Sequence, residues 1–278
     1  LINAGDTLTL SEREVNRQIS VIASYTDGHG TSEKLKSSAT DKLSVNFISG
    51  TSNSDLIQGT AFADNISTFA GNDTIAGGLG SDVIDGGSGI DTVKFAGQFG
   101  SESLANYSIQ KLSNGSWSVS YIGPMIAIYP PPATDGSDLL TYVERILFTD
   151  KSFALDMDGN AGNAAKIIGA VLGKAALKNP TYVGIGLNYL DNGMSYSDLG
   201  ALALNAVGAV TDETIVSTLW LNVIGFPALA IDKAPFLKML AEGLKPGDLV
   251  ALAADTAFNT SSINLVGLAQ TGIEYVPV

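Results

Sequence analysis

The chain has 278 residues, contains no cysteine and carries 28 acidic against 15 basic side chains, for a formal charge of −13. This length allows two or three domains. The negative charge disfavours nucleic acids and anionic membranes as partners and favours cations. Without cysteine, neither a disulfide framework nor a zinc–thiolate site is available.

The sequence shows neither a signal peptide nor a membrane anchor. No apolar run reaches the length of a transmembrane helix, and the first residue is Leu1 rather than methionine. We therefore expect no membrane insertion, and we expect the chain to be the C-terminal part of a longer protein.

Residues 1–45 mix β-branched residues with turn signals, which predicts short strands. The clearest element is a hairpin, with a strand over 19–25, a turn over 27–30 and a returning strand. The stretch DTLTLSEREVNRQISV and this hairpin resemble the last half of an Ig-like repeat of very large bacterial surface proteins. The resemblance implies an incomplete sandwich, completed by upstream residues, by the rest of this chain or by strands of a neighbouring molecule.

Residues 50–94 divide into five consecutive nonamers without an insertion: GTSNSDLIQ, GTAFADNIS, TFAGNDTIA, GGLGSDVID and GGSGIDTVK. Position eight is always β-branched and aliphatic. Position six is always aspartate, and these residues are Asp55, Asp64, Asp73, Asp82 and Asp91. The pattern G-G-x-G-x-D-x-U-x is typical of a calcium-binding parallel β-helix.

The chemistry of the nonamers points to a hard cation. Glycine reaches positive φ without steric cost, and the sharp turns it permits expose main-chain carbonyls. Carbonyl and carboxylate oxygens suit Ca²⁺, and an acidic stack with Lys94 as its single basic residue would otherwise repel itself. We predict calcium ligation by the five aspartates together with turn residues. Those turn residues are Asn53, Gly71, Asn72, Gly78, Gly80, Gly87 and Gly89.

These repeats resemble the RTX nonapeptide family of proteins secreted by Gram-negative bacteria. The resemblance implies a flattened roll in which each ion lies between repeats i and i+2. The implied pairs are Asp55/Asp73, Asp64/Asp82 and Asp73/Asp91. Position four departs from glycine in the first two repeats, where Asn53 and Phe62 stand. We therefore expect the Asp73/Asp91 site to be the best formed.

Residues 96–155 predict further strands. Alternating segments over 107–112 and 117–122 flank Asn114-Gly115, a strong hairpin signal. The later stretch DGSDLLTYVERILFTDKSFALD resembles the strand pair that closes RTX rolls. Within it, Gly136 and Asp138 supply either one more ion site or an ordinary polar turn.

From residue 156 the spacing of apolar residues becomes helical. It predicts helices over 161–178, 181–190, 196–208, 212–224, 229–243, 248–258 and 261–270. This region resembles the helical tails, including DUF4214-type domains, that follow RTX repeats. The final GIEYVPV is similar to type I secretion signals, although a last strand is the alternative.

The predicted fold class is multidomain, β then α: a partial Ig-like segment (1–45), a calcium-binding β-roll (46–95), an antiparallel β cap (96–155) and an all-helical domain (156–278). With His29 as the single histidine and no G-x-S-x-G elbow, we expect no catalytic site. We expect a secreted, extracellular or cell-surface structural protein that self-associates: an adhesin, matrix fibre or surface-layer component. The alternative is the secretion and folding tail of an exported hydrolase, with catalysis upstream. A calcium-dependent carbohydrate binder is less favoured, because no aromatic platform is evident.

Overall fold

The computed structural model describes residues 18–26, 28–40, 46–101, 104–123 and 135–278. The hairpin predicted near the start is confirmed: β1 (Ile22–Thr26) pairs antiparallel with β2 (Ser32–Lys36). All ten residues of the two strands are exposed, and His29 lies in the exposed turn between them. Most of the segment that resembles an Ig-like repeat lies outside the described residues.

The nonamers form a parallel roll, as predicted. Its strands are β3 (Asn46–Ser49), β4 (Leu56–Gln58), β5 (Asp64–Ser67), β6 (Thr74–Ala76), β7 (Val83–Asp85) and β8 (Thr92–Lys94). From β3 to β6, each strand pairs in parallel with the strand two further along, so that β3, β5 and β7 lie in one sheet and β4, β6 and β8 in the other. The position-eight side chains point inward, and Ile66, Ile75, Ile84 and Val93 are at most 1 % exposed. One nonamer therefore makes one strand and one turn.

Residues 95–155 extend this roll. The elements are β9 (Gly100–Ser101), β10 (Leu104–Ala105), β11 (Tyr107–Lys111), β12 (Trp117–Tyr121), β13 (Ser137–Thr141), β14 (Arg145–Leu147) and β15 (Ser152–Ala154). The hairpin of β11 and β12 around Asn114-Gly115 is confirmed. The expected antiparallel closing pair is only partly right. β13 runs parallel to β7 and β14 parallel to β8, in different sheets, whereas β12 and β15 are their antiparallel neighbours.

The C-terminal region is mostly helical, as predicted, but the prediction of an all-helical domain is wrong at its end, where residues 273–275 form a strand. Its helices are α1 (Asn160–Leu172), α2 (Pro180–Asp191), α3 (Tyr196–Ala206), α4 (Asp212–Ile224), α5 (Ala230–Ala241), α6 (Pro246–Ala254), α7 (Ala257–Ser262) and α8 (Leu265–Thr271). The first predicted helix is shorter than expected, because Gly173 has a φ of +86° and ends α1, and residues 174–178 form a separate 3-10 turn. No helix in the described ranges is long and apolar enough to span a membrane.

The last strand, β16 (Ile273–Tyr275), returns to the roll and pairs antiparallel with β15. Two six-stranded sheets result, with the orders β11-β12-β13-β7-β5-β3 and β16-β15-β14-β8-β6-β4. The helical region is thus inserted between two neighbouring strands of one sheet. Ile273 and Tyr275, which belong to the predicted export signal, are buried there.

Candidate metal centre

The turns of the roll stack along its two edges. Because successive strands alternate between the sheets, turns 50–54, 68–72 and 86–90 lie on one edge, and turns 59–63 and 77–81 lie on the other. Main-chain hydrogen bonds join the stacked turns, for example from Gly71 N to Ser88 O (2.9 Å) and from Leu79 N to Thr60 O (3.0 Å). Carbonyls and carboxylates of repeats i and i+2 therefore face each other.

A ladder of carboxylates runs along each edge. The N–H of Asp55 donates to Oδ1 of Asp73 at 2.7 Å. In the same way Asp64 donates to Asp82, and Asp73 to Asp91, both at 2.9 Å. The structure thus brings together the three pairs expected from the sequence.

The second carboxylate oxygen differs along the ladder. Oδ2 of Asp73, Asp82 and Asp91 is buried and has no hydrogen-bond partner. Burial of an unpaired carboxylate oxygen is costly, and it disfavours the charged form. Burial, followed by repulsion from the neighbouring aspartate, raises the pKa of Asp82 and of Asp91 to about 6. A cation at these oxygens would remove that cost.

In the first two repeats, a threonine of the same turn donates hydrogen bonds to the aspartate. The N–H of Thr51 donates to Oδ2 of Asp55, and the N–H of Thr60 to Oδ2 of Asp64, each at 2.6 Å. Both threonine hydroxyls lie 3.0 Å from the same oxygens. These two turns consequently need a cation less than the later ones do. Neither Asn53 in the first turn nor Phe62 in the second has a positive φ.

The later turns depend on glycine. The glycines predicted as turn residues all have left-handed φ, between +84° and +139°: Gly71, Gly78, Gly80, Gly87 and Gly89. A Cβ on Gly78 would lie under 3.0 Å from the carbonyl of Thr60, so the stacked turns approach too closely for any side chain. Asn72 contributes differently, because its Oδ1 accepts a hydrogen bond from Ile90 N at 3.0 Å. Its side chain therefore fixes the spacing of two turns.

The ladders continue beyond the nonamers. Asp82 N donates to Oδ1 of Asp138, and Asp91 N to Oε2 of Glu144, both at 2.8 Å. Burial raises the pKa of Asp138 to about 8 and that of Glu144 to about 7. Asp138 was a sequence candidate, but Glu144 was not. Its signal is an acid two residues before an aliphatic residue, here Ile146, as in every repeat.

The donor set suits calcium. In the described part of the chain no three acidic or histidine side chains converge on one point, so a cation here would need main-chain carbonyls among its ligands. The point where a Gly59 Cβ would stand is under 3.0 Å from both the carbonyl of Gly77 and Oδ2 of Asp64, so oxygens of two stacked turns converge there. On this edge, turns 59–63 and 77–81 also line a groove of about 680 Å³ with Asp135 and Asp138. Oxygen donors without sulfur or nitrogen are those that Ca²⁺ prefers.

Comparison with known families supports this chemistry. The family model described as RTX calcium-binding nonapeptide repeat (4 copies) matches residues 49–84 and 59–93. A search of curated proteins gives no match. The Ig-like and DUF4214-type resemblances stay expectations. RTX repeats imply calcium binding in a secreted protein, and the strands and turns over residues 49–93 carry these repeats.

Proposed function

We propose that residues 46–155 are a calcium-folded, non-catalytic module of a type I secreted structural or adhesive protein at or outside the cell surface. The observation that carries the calcium part is the set of three buried carboxylate oxygens without partners, on Asp73, Asp82 and Asp91. Extracellular calcium modules have Kd values on the order of 10⁻⁴–10⁻³ M. A roll of this affinity stays unfolded in a calcium-poor cytosol and folds after export.

Circular dichroism with calcium and with chelator tests the calcium part. We expect chelation to remove β signal and added calcium to restore it. Asp73 belongs to two of the pairs, and its Oδ2 has no partner, whereas Oδ2 of Asp55 is held by Thr51. Asp73→Asn should therefore raise the calcium concentration needed for folding more than the matched Asp55→Asn. Identical spectra in chelator and in calcium would refute the proposal.

The β1–β2 hairpin supports the structural role. An isolated two-stranded hairpin is marginally stable in water, and exposed strand edges accept further strands. Ile22 and Leu35 are 58 % and 71 % exposed. Strand addition from one molecule to the next need not close, so it builds fibres. Light scattering of the full chain and of a chain beginning at Lys42 checks this: if both are monomers at high concentration with calcium, self-association through the hairpin is wrong.

The export route belongs to the same proposal. A signal at 272–278 is fully accessible only before folding, because the folded chain buries Ile273 and Tyr275 in β16 and exposes only residues 276–278. Deleting residues 276–278 leaves β16 in place and should retain the protein in the cells. Normal export of this variant would contradict a C-terminal signal.

A further inference from the structure

We infer that a calcium site lies at the turn between β13 and β14, formed by the carboxylate of Asp91 and the carbonyl of Tyr142 and closed by Glu144. The site rests on the proposed calcium function but lies at the end of the nonapeptide repeats, since the family match stops at residue 93. It differs from a repeat in having glutamate for aspartate and a shorter turn, with two residues between β13 and Glu144 where the fifth repeat has five between β7 and Asp91.

The turn reproduces the hydrogen bonds of a repeat. Within the repeats, Thr74 N donates to Asp55 O at 2.9 Å and Thr92 N donates to Asp73 O at 2.8 Å. At the new turn, Arg145 N donates to Asp91 O at 2.9 Å. The bond from Asp91 N to Glu144 Oε2, at 2.8 Å, matches those between the paired aspartates. Residues 142–146 therefore stack on the fifth repeat as one more rung of the roll.

The backbone of Tyr142 takes the glycine conformation. Tyr142 stands two residues before Glu144, as Gly71 stands before Asp73 and Gly89 before Asp91, and its φ is +50°. For a bulky residue this conformation is unfavourable and persists only where the surroundings impose it. Here it turns the Tyr142 carbonyl towards the preceding turn of the same edge.

The carbonyl and the unpartnered carboxylate converge. The point where a Gly86 Cβ would stand is under 3.0 Å from both Tyr142 O and Asp91 Oδ2. This is the same arrangement as at Gly59, where a carbonyl and a carboxylate of stacked repeats meet. Asp91 is 0 % exposed and its Oδ2 has no partner, and Asp85, directly before Gly86, also has a buried Oδ1 without a partner. The neighbouring guanidinium of Arg145 donates to the Glu144 carbonyl, to Asp156 and to Asp191, and Asp91 Oδ2 is left without a hydrogen-bond partner.

The chemistry selects a hard divalent cation. A bare Ca²⁺ ion accepts oxygen ligands at about 2.3–2.6 Å and tolerates irregular geometry. The site offers carbonyl and carboxylate oxygens only, which disfavours zinc and copper. Its occupation would tie β14, the last parallel strand of its sheet, to the repeats.

Counting calcium ions per chain and exciting bound terbium through tyrosine tests the site. Glu144→Gln keeps an oxygen that accepts the Asp91 N–H but removes the charge, and should bind one ion fewer than the unmodified chain. Tyr142→Phe keeps the backbone and should bind the same number of ions, with weaker tyrosine-sensitised terbium emission. Glu242→Gln and Tyr189→Phe, on the helical region, are the matched controls and should change neither quantity.

Two outcomes distinguish a failure of this site from a failure of the proposed calcium-binding function of the roll. If the unmodified chain binds calcium while Glu144→Gln keeps every ion, or Tyr142→Phe keeps full emission, the site at Tyr142 is wrong and the calcium roll stands. If the unmodified chain binds no calcium, the proposed function fails and this site fails with it.

Discussion

Arg145 on β14 donates from Nη2 to both carboxylate oxygens of Asp191 at the end of α2, at 2.8 and 2.9 Å. Its Nη1 donates to Asp156 and to the carbonyl of Glu144. The arginine is 3 % exposed, so one buried guanidinium joins the last rung of the roll to the helical region. The antiparallel pairing of β15 with β16 also joins the roll to the end of the helical region.

Removing this guanidinium should weaken the whole chain. Arg145→Ala leaves Asp156 and Asp191 without their counter-ion, and loss of one partner of a buried pair costs about 3–5 kcal/mol. Lys238→Ala removes an exposed pair with Glu242 on α5 and should cost about 0.5 kcal/mol or less. Denaturant unfolding measures both; equal losses would show that Arg145 does not join the two regions.

The calcium-free roll should lose stability as the pH rises. The folded pKa values are about 6 for Asp82 and Asp91, about 7 for Glu144 and about 8 for Asp138, all above ordinary carboxyl values. The folded chain therefore holds more protons than the unfolded chain. The stabilisation that these protons give the folded chain is complete below about pH 4 and is lost as the pH rises through these pKa values.

The β signal in circular dichroism, recorded in chelator at about pH 5 and about pH 8, checks this sign. We expect the weaker β signal at the higher pH, and we expect calcium to abolish the difference because the ion replaces the protons. A β signal in chelator that increases from about pH 5 to about pH 8 would contradict the raised pKa values.

The sequence predicts the parts of the site that depend on the nonamer period. The resemblance to RTX repeats implies that turns of repeats i and i+2 stack, and the nonamer period then identifies the pairs as Asp55/Asp73, Asp64/Asp82 and Asp73/Asp91. Glu144 does not follow, because it lies 53 residues from Asp91 and meets it only where the chain returns to the roll. The sequence does not predict the pairing of β16 with β15 for the same reason, since eight helices separate the two strands.

The nonamer pattern also does not predict the hydrogen bonds within individual turns. Position two holds Thr51 and Thr60 in the first repeats, and nothing in the period shows that their N–H and hydroxyl groups bind the aspartates. A short polar residue four positions before an aspartate is the signal for such a self-satisfied turn. Position four already favours the Asp73/Asp91 site, but the sequence does not show that Asp55 and Asp64 accept hydrogen bonds within their own turns, as they do in the structure.

Close stacking of turns predicts an unequal cost for two glycine substitutions. Gly78 and Gly115 both have left-handed φ, +104° and +91°, but only Gly78 lies against another backbone. Gly115→Ala should cost about 1–2 kcal/mol from the conformation alone. Gly78→Ala should cost more and also weaken calcium binding, since its Cβ would overlap Thr60 O. Thermal unfolding with calcium titration measures both, and equal effects would exclude the close approach.

The third repeat contains strain that glycine should relieve. Phe69 occupies position two with a φ of +70°, where the fourth and fifth repeats have Gly78 and Gly87, and its side chain is largely exposed. Phe69→Gly should stabilise the roll by about 1 kcal/mol. Phe62→Gly is the control, because Phe62 is also exposed but has no positive φ, and it should be neutral or destabilising. Thermal unfolding in calcium distinguishes them; destabilisation by Phe69→Gly as large as that by Phe62→Gly would refute the strain.

Amide hydrogen exchange with calcium and with chelator tests most directly whether calcium folds the roll. We expect the amides of β5 to β8, β13 and β14 to be protected in calcium and to exchange rapidly in chelator, because the stacked carboxylates then repel one another without a cation. The loss should be reversed by calcium. Equal protection of these strands in chelator and in calcium would contradict a calcium-folded roll.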